Sequence, residues 1–238
     1  MKRGGERRAS HLRVKEQTEW LARHDPCTDR HQQGGILLMN VLTFDVETTH
    51  VEKRGGGHTP LPYFGNRLVS IGYKWLISSV DYDCYHHSTQ PPTSNAFTKF
   101  QAALKHADIL VGHNIKFDLT WIRECGFTYE GHIYDTMVAE YLLARARRWP
   151  LGLAALAKKY NVTKKETDLV EPYIKAGKTF YDIPWEIIEE YGRADVKATE
   201  EIAIKQLDAY GVTFKEIFNE PRTDTEAVAG DDQRTVAN

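Results

Sequence analysis

Residues 36–44 are almost continuously apolar, and the pattern breaks into acids directly after Phe44, which predicts a buried strand. The same reading predicts strands at 68–77 and 80–85, a short buried strand at 109–111 and a last one at 132–134. Helical spacing takes over at 95–106, where Phe97, Phe100, Ala103 and Leu104 share one face, and again at 115–124, 136–144, 153–160 and 185–207. Pro184 suits the first turn of that last helix. Strands come first, then strands alternating with helices, then helices alone. This order predicts one α/β domain with a central mixed β-sheet flanked by helices, spanning residues 36–210.

The flanks read differently. Residues 1–35 hold eight Lys or Arg against five acids without apolar periodicity, so a basic, disordered leader is expected. Its His24, Cys27 and His31 are one ligand short of a zinc set. Residues 211–238 are expected to form an acidic, disordered tail. The net charge of −2 excludes a bulk polycation gripping nucleic acid by charge alone, although a local basic groove stays open. No apolar run approaches a membrane span, and three widely spaced cysteines argue against a disulfide framework. A cytoplasmic monomer is expected, in the host cytoplasm if the source is viral.

Asp45 and Glu47 stand at i and i+2 at the C-terminal end of the first strand, hence on one face. Ligands gather at that end of open α/β sheets. Alone, the pair fits a metal site and a solvated strand end equally well, and Asp224 and Glu226 repeat its spacing in the presumed tail.

Two further acids change the balance. Asp118 lies at the edge of a helical stripe formed by Ile115, Leu119 and Ile122. Asp195 falls on the stripe of Trp185, Ile188, Gly192, Thr199 and Ile202, with Tyr191 one turn before it on the same side. Buried carboxylates need cations or hydrogen-bond donors, and a buried ion pair would explain one such acid more easily than four. Four converging carboxylates carry about −4, which two divalent cations offset. Hard oxygen ligands without His or Cys favour Mg²⁺ or Mn²⁺, and a two-metal carboxylate site suits in-line hydrolysis of a phosphodiester.

Phe44-Asp45-x-Glu47-Thr48, Asn114-x-x-Phe117-Asp118 and Tyr191-x-x-x-Asp195 resemble the three exonuclease motifs of the DEDD superfamily, in order. The tyrosine marks the DEDDy subgroup, and Glu190 stands where the histidine version requires His. The resemblance, over roughly residues 40–207, is strongest to the proofreading 3′–5′ exonuclease domain of phage family A DNA polymerases. Asn66-Arg67-Leu68-Val69-Ser70-Ile71-Gly72, Tyr134-Asp135-Thr136 and Ile183-Pro184-Trp185-Glu186 fit the same pattern.

That resemblance implies a ribonuclease-H-like three-layer fold and hydrolysis of DNA 3′ ends, releasing nucleoside 5′-monophosphates from single strands. It implies two metal ions held by Asp45, Glu47, Asp118 and Asp195, and a water oriented by Tyr191. Thr48 and Asn114 would contact the terminal nucleotides and Val51 would wedge against the last base. Lys116 and Phe117 match the motif as substrate-binding positions. A separate DNA polymerase is a possible partner. The alternatives are an exoribonuclease of the ribonuclease D kind and a non-catalytic nucleic-acid-binding or polymerase accessory module.

Weaker features have simpler readings. Asp135 is the expected N-cap of the helix at 136–144. Arg145, Arg147, Arg148, Lys158 and Lys159 either line a single-strand groove with Trp149 or form a solvated basic edge. Lys53, Arg54, His58 and Arg67, in or beside the Gly-rich loop 52–66, either grip phosphates near the site or sit on a solvated, mobile loop, and Cys84 to His87 read as structural. Glu189, Glu190, Glu200 and Glu201 are expected on the wet side of the long helix.

Overall fold

In the computed structural model, which describes residues 39–52, 57–145 and 147–218, the first apolar run becomes β1 (Val41–Thr48). The further strands are β2 (Val51–Glu52), β3 (His58–Thr59), β4 (Leu68–Trp75), β5 (Asp81–Cys84), β6 (Ile109–Gly112) and β7 (His132–Asp135). The described helices are α1 (Ala96–His106), α2 (Lys116–Glu124), α3 (Thr136–Leu143), α4 (Leu153–Tyr160), α5 (Thr167–Lys175), α6 (Trp185–Tyr210) and α7 (Phe214–Phe218). Five strands pair in the order β5-β4-β1-β6-β7, and β2 and β3 form a separate ribbon. β4 runs antiparallel to β1 and β5, while β1, β6 and β7 are parallel, so the sheet is mixed as expected.

Strand alternation divides β1 between two layers. Leu42, Phe44 and Val46 enter a core with Phe100 and Leu104 of α1 and Trp121 and Ile122 of α2. Thr43, Asp45 and Glu47 therefore belong to the opposite face, which α6 crosses. Such an arrangement is the mixed α/β domain that the order of elements predicted and the ribonuclease-H-like three-layer fold that the resemblance implied.

α6 sits close to the sheet because two glycines leave room for one ring. Gly72 pairs with Asp45 across β4 and β1. A Cβ there would lie 2.9 Å from Tyr82 Cδ2 and from Val196 Cγ2, and one at Gly192 only 2.2 Å from the Tyr82 hydroxyl. Tyr82 is held by donating to the Ile188 carbonyl (3.1 Å) and sharing a hydrogen bond with Ser70 Oγ (2.9 Å).

Several expectations need correction. Glu200 is buried, not on the wet side: it forms an ion pair with Lys74 of β4 and accepts the Ile77 amide at 3.2 Å. Residues 213–218 are packed, not frayed, because Thr213 and Glu216 cap each other reciprocally and Phe214 meets the Tyr134 ring edge-on at 5.3 Å. α5 escaped the periodicity reading because Pro172 lies inside it and only Val170 is fully buried. Phe97 is largely exposed, yet it stacks on Phe127 at 4.4 Å. The leader with His24, Cys27 and His31, the loop residues Lys53 and Arg54, and residues 219–238 lie outside the described residues. Among the described residues no helix is long and apolar enough to cross a membrane.

The Tyr82 insertion generates a stability test. Gly192→Ala should destabilise the protein by about 1–3 kcal/mol through overpacking, read as a lower urea midpoint at unchanged slope.

Candidate active site

Asp45 and Glu47 share the α6 face of β1 at its C-terminal half, and Asp195 meets them from α6. Carboxylate oxygens of these three residues lie within 4.8 Å of one another. Glu47 and Asp195 are buried, whereas Asp45 is half-buried. Asp118 arrives from the first turn of α2 and is also buried; its Oδ1 accepts the Val46 amide at 3.1 Å, between the two strand acids. Tyr191, one helical turn before Asp195, is buried beside it. The fold thus brings all five residues to one end of the sheet.

The clustered carboxylates repel one another, and burial adds to the cost of their charge. Burial, then the charge of Asp195, pushes the Asp45 carboxyl up to about 7. Burial and the charge of Asp45 lift Glu47 and Asp118 well above the carboxylate range, while the Val46 amide holds Asp118 back. Burial also raises Asp195, restrained by Lys165 and the Tyr191 hydroxyl. Tyr191 is raised by burial and then by the charges of Glu47, Asp195 and Asp45, so its phenol stays protonated at neutral pH.

Lys165 is the residue that sequence reasoning missed. It lies between α4 and α5, forms an ion pair with Asp195 and sits over the Tyr191 ring at 4.6 Å. Burial disfavours its charge, but Asp195 and Asp45 outweigh this and raise its pKa. No spacing marks it: Lys164 beside it makes only an exposed pair with Asp168. Even with Lys165 in place, buried Asp195 Oδ1 has no hydrogen-bond partner among the described residues. A buried acceptor without a donor, within an all-oxygen cluster, fits a hard divalent cation such as Mg²⁺ or Mn²⁺.

The remaining motif residues frame this cluster. Thr48 is buried where the β1–β4 register shifts, between Glu47 and Thr48. Val51 is half-buried and pairs with Thr59 in the β2–β3 ribbon. Asn114 adopts a left-handed backbone (φ 57°) and donates its amide to Asp135 Oδ1 at 3.0 Å. Asp135 also caps α3, accepting the Met137 amide at 2.8 Å, so one carboxylate fixes the turn and starts the helix. Lys116 is exposed at the start of α2, and Phe117 packs partly against the core. Lys159 forms an ion pair with buried Glu140 and lies 5.6 Å from the Trp149 ring. His87 is structural, bonded to the Ile183 carbonyl at 2.8 Å.

Two measurements test this electrostatic picture. A carboxyl raised from near 4 unfolded to about 7 folded binds more protons in the native state, so its contribution to stability is lost as pH rises through that window. In chelator, Asp45→Asn should therefore gain thermal stability relative to wild type between those pH values, and Mg²⁺ should remove the gain. Lys165→Met, which strands a buried carboxylate, should cost about 3 kcal/mol in chelator and less with Mg²⁺ present, measured by urea unfolding.

Comparison with known proteins places this geometry in context. The structure resembles the family B DNA polymerase of the hyperthermophilic archaeon Pyrobaculum calidifontis with TM-score 0.51 and 18% identity, over 74% of this chain and 25% of the polymerase. It also resembles a structure described as the apo form of the nuclease, with TM-score 0.48 and 17% identity over 70% and 71% of the two chains. Brucella melitensis NrnC with bound Mg²⁺ aligns at TM-score 0.43 and 18% identity, over 79% and 81%. No curated protein sequence matches the chain. A profile described as 3′–5′ exonuclease, of the DNA polymerase A exonuclease type, matches residues 31–207, and the chain accordingly belongs to that 3′–5′ exonuclease family.

Proposed function

We propose that this protein is a DEDDy-type, divalent-metal-dependent 3′–5′ exonuclease that hydrolyses phosphodiester bonds at single-stranded DNA ends and releases nucleoside 5′-monophosphates. The observation that carries this reading is the meeting of Asp45, Glu47 and Asp195 within 4.8 Å, with Asp118 tied to the amide between the two strand acids. Asp45, Glu47, Asp118 and Asp195 would hold two ions, Mg²⁺ or Mn²⁺. When bound, such ions activate water and stabilise the departing oxygen.

The protein's own groups do the positioning. Tyr191 remains a phenol, so it serves as a hydrogen-bonding group that orients the attacking water and not as the base that deprotonates it. Thr48 and Asn114 hold the terminal nucleotides, Asn114 from a backbone pose set by Asp135. Val51 supplies an apolar edge against the last base, and exposed Lys116, with Phe117 behind it, meets the backbone of the strand.

The test uses 5′-labelled single-stranded DNA, duplex DNA and RNA of one sequence, each with Mg²⁺ and with chelator. Single-stranded DNA should shorten from its 3′ end, only with metal; preferential loss of RNA would reassign the substrate. Asp195→Ala should lose about a thousandfold or more in single-turnover rate. Tyr191→Phe should lose on the order of 10- to 100-fold at nearly unchanged Mg²⁺ dependence.

A further inference from the structure

Between β3 and β4 the chain makes a short 3-10 turn, Pro62–Phe64, that carries large side chains into solvent. Tyr63 is 62% exposed, Phe64 57% and Leu61 38%. A contiguous apolar group on a surface calls for a partner more strongly than scattered single residues do. The turn is rigid for reasons unrelated to those side chains. Pro62 restricts its start and Gly65 closes it in the left-handed region (φ 80°). Buried Asn66 donates to the carbonyls of Thr59 (2.7 Å) and Leu61 (2.9 Å), so the loop is fastened from inside by polar bonds.

The same fastenings join the turn to the acidic site. Asn66 Oδ1 accepts from Thr49 Oγ1 at 3.2 Å, and the Thr49 amide donates to the Arg67 carbonyl at 3.0 Å, immediately past the end of β1. On the other side Trp121 Nε1 of α2, the helix of Asp118, donates to the Pro60 carbonyl at 2.9 Å. The aromatic pair is thus braced between the two elements that carry Asp45, Glu47 and Asp118. Arg67, next to Asn66, is exposed and adds a cation.

We infer that Tyr63 and Phe64 form a stacking platform for bases of single-stranded nucleic acid upstream of the 3′-terminal nucleotide, with Arg67 against the phosphates. This rests on the nuclease reading above and extends the substrate site beyond its terminal nucleotides. Exposed aromatic side chains followed three residues later by an exposed cation suit unpaired bases on a charged backbone, and stacking of this kind tolerates any sequence. A duplex, whose base faces are covered, gains nothing from them.

The experiment compares wild type with the double variant Tyr63→Ala/Phe64→Ala on oligothymidylates of two, four, eight and sixteen nucleotides with Mg²⁺. The variant's kcat/KM relative to wild type should fall as the strand lengthens, by about tenfold or more at sixteen, with the loss in KM. Fluorescence anisotropy with the sixteen-nucleotide strand in Ca²⁺ should show the same loss of affinity. Tyr63→Trp/Phe64→Trp should restore it, and the equally apolar Tyr63→Leu/Phe64→Leu should not. A wild-type protein that hydrolyses these strands beside a variant equal to it at every length overturns the platform and leaves the nuclease reading intact. A wild type that hydrolyses none overturns the nuclease reading, and the anisotropy series still decides the platform. Rescue by leucine, an equal loss on duplex DNA, or a change of oligomeric state in the alanine variant overturns stacking in favour of a protein-covered patch.

Discussion

Like charges held together away from water are the constraint on which this molecule depends. Asp45, Glu47 and Asp195 converge within 4.8 Å, and Asp118 lies beside them, all removed from much of the solvent that would screen them. The protein compensates only in part. The Val46 amide serves Asp118, and Lys165 serves Asp195, but one oxygen of Asp195 has no donor among the described residues. The raised carboxyl pKa values are the same fact stated as proton affinity. A site so arranged stores an attraction for a multivalent cation, and the fold must supply the rigidity that keeps the acids from separating.

That rigidity comes from the contact between α6 and the sheet. Tyr82 fills the space left by Gly72 and Gly192 and bonds to the α6 backbone at Ile188, which fixes the height of α6 over β1. Further along the same helix, Glu200 is locked to Lys74. Gln206 spans to the start of α3 by donating to the Thr136 carbonyl at 2.8 Å. These polar fastenings lie on the layer that carries the acids, while the other face of β1 is packed with aliphatic and aromatic side chains. Both faces are packed by apolar burial, and the α6 face adds these specific bonds.

Membership of the 3′–5′ exonuclease family makes a nucleic-acid substrate part of this picture. The turn that carries exposed Tyr63 and Phe64 is tied through Asn66 and Thr49 to the end of β1, the strand of Asp45 and Glu47. A polar side chain that ties a loop to the end of a strand lets the loop carry aromatic groups without giving them to the core.

The amino-acid sequence by itself determined the mixed sheet with its flanking helices, because apolar periodicity records which face of each strand and helix is buried. It also determined the acids: Asp45 and Glu47 share a face by strand alternation, and Asp118 and Asp195 stand out on apolar stripes where a charge is costly. Asp135 as a helix cap was legible for the same local reason. What only the tertiary structure decided depends on contacts between distant segments. Lys165 belongs to an irregular connection thirty residues before its partner, so no period points to it. Glu200 reads as a solvated position until Lys74, 126 residues away, is placed opposite it. The short capped helix at Phe214–Phe218 lacks length for a periodic signal, and its burial depends on Tyr134. Local pattern reports whether a side chain faces inward; only the packed chain decides what it meets there.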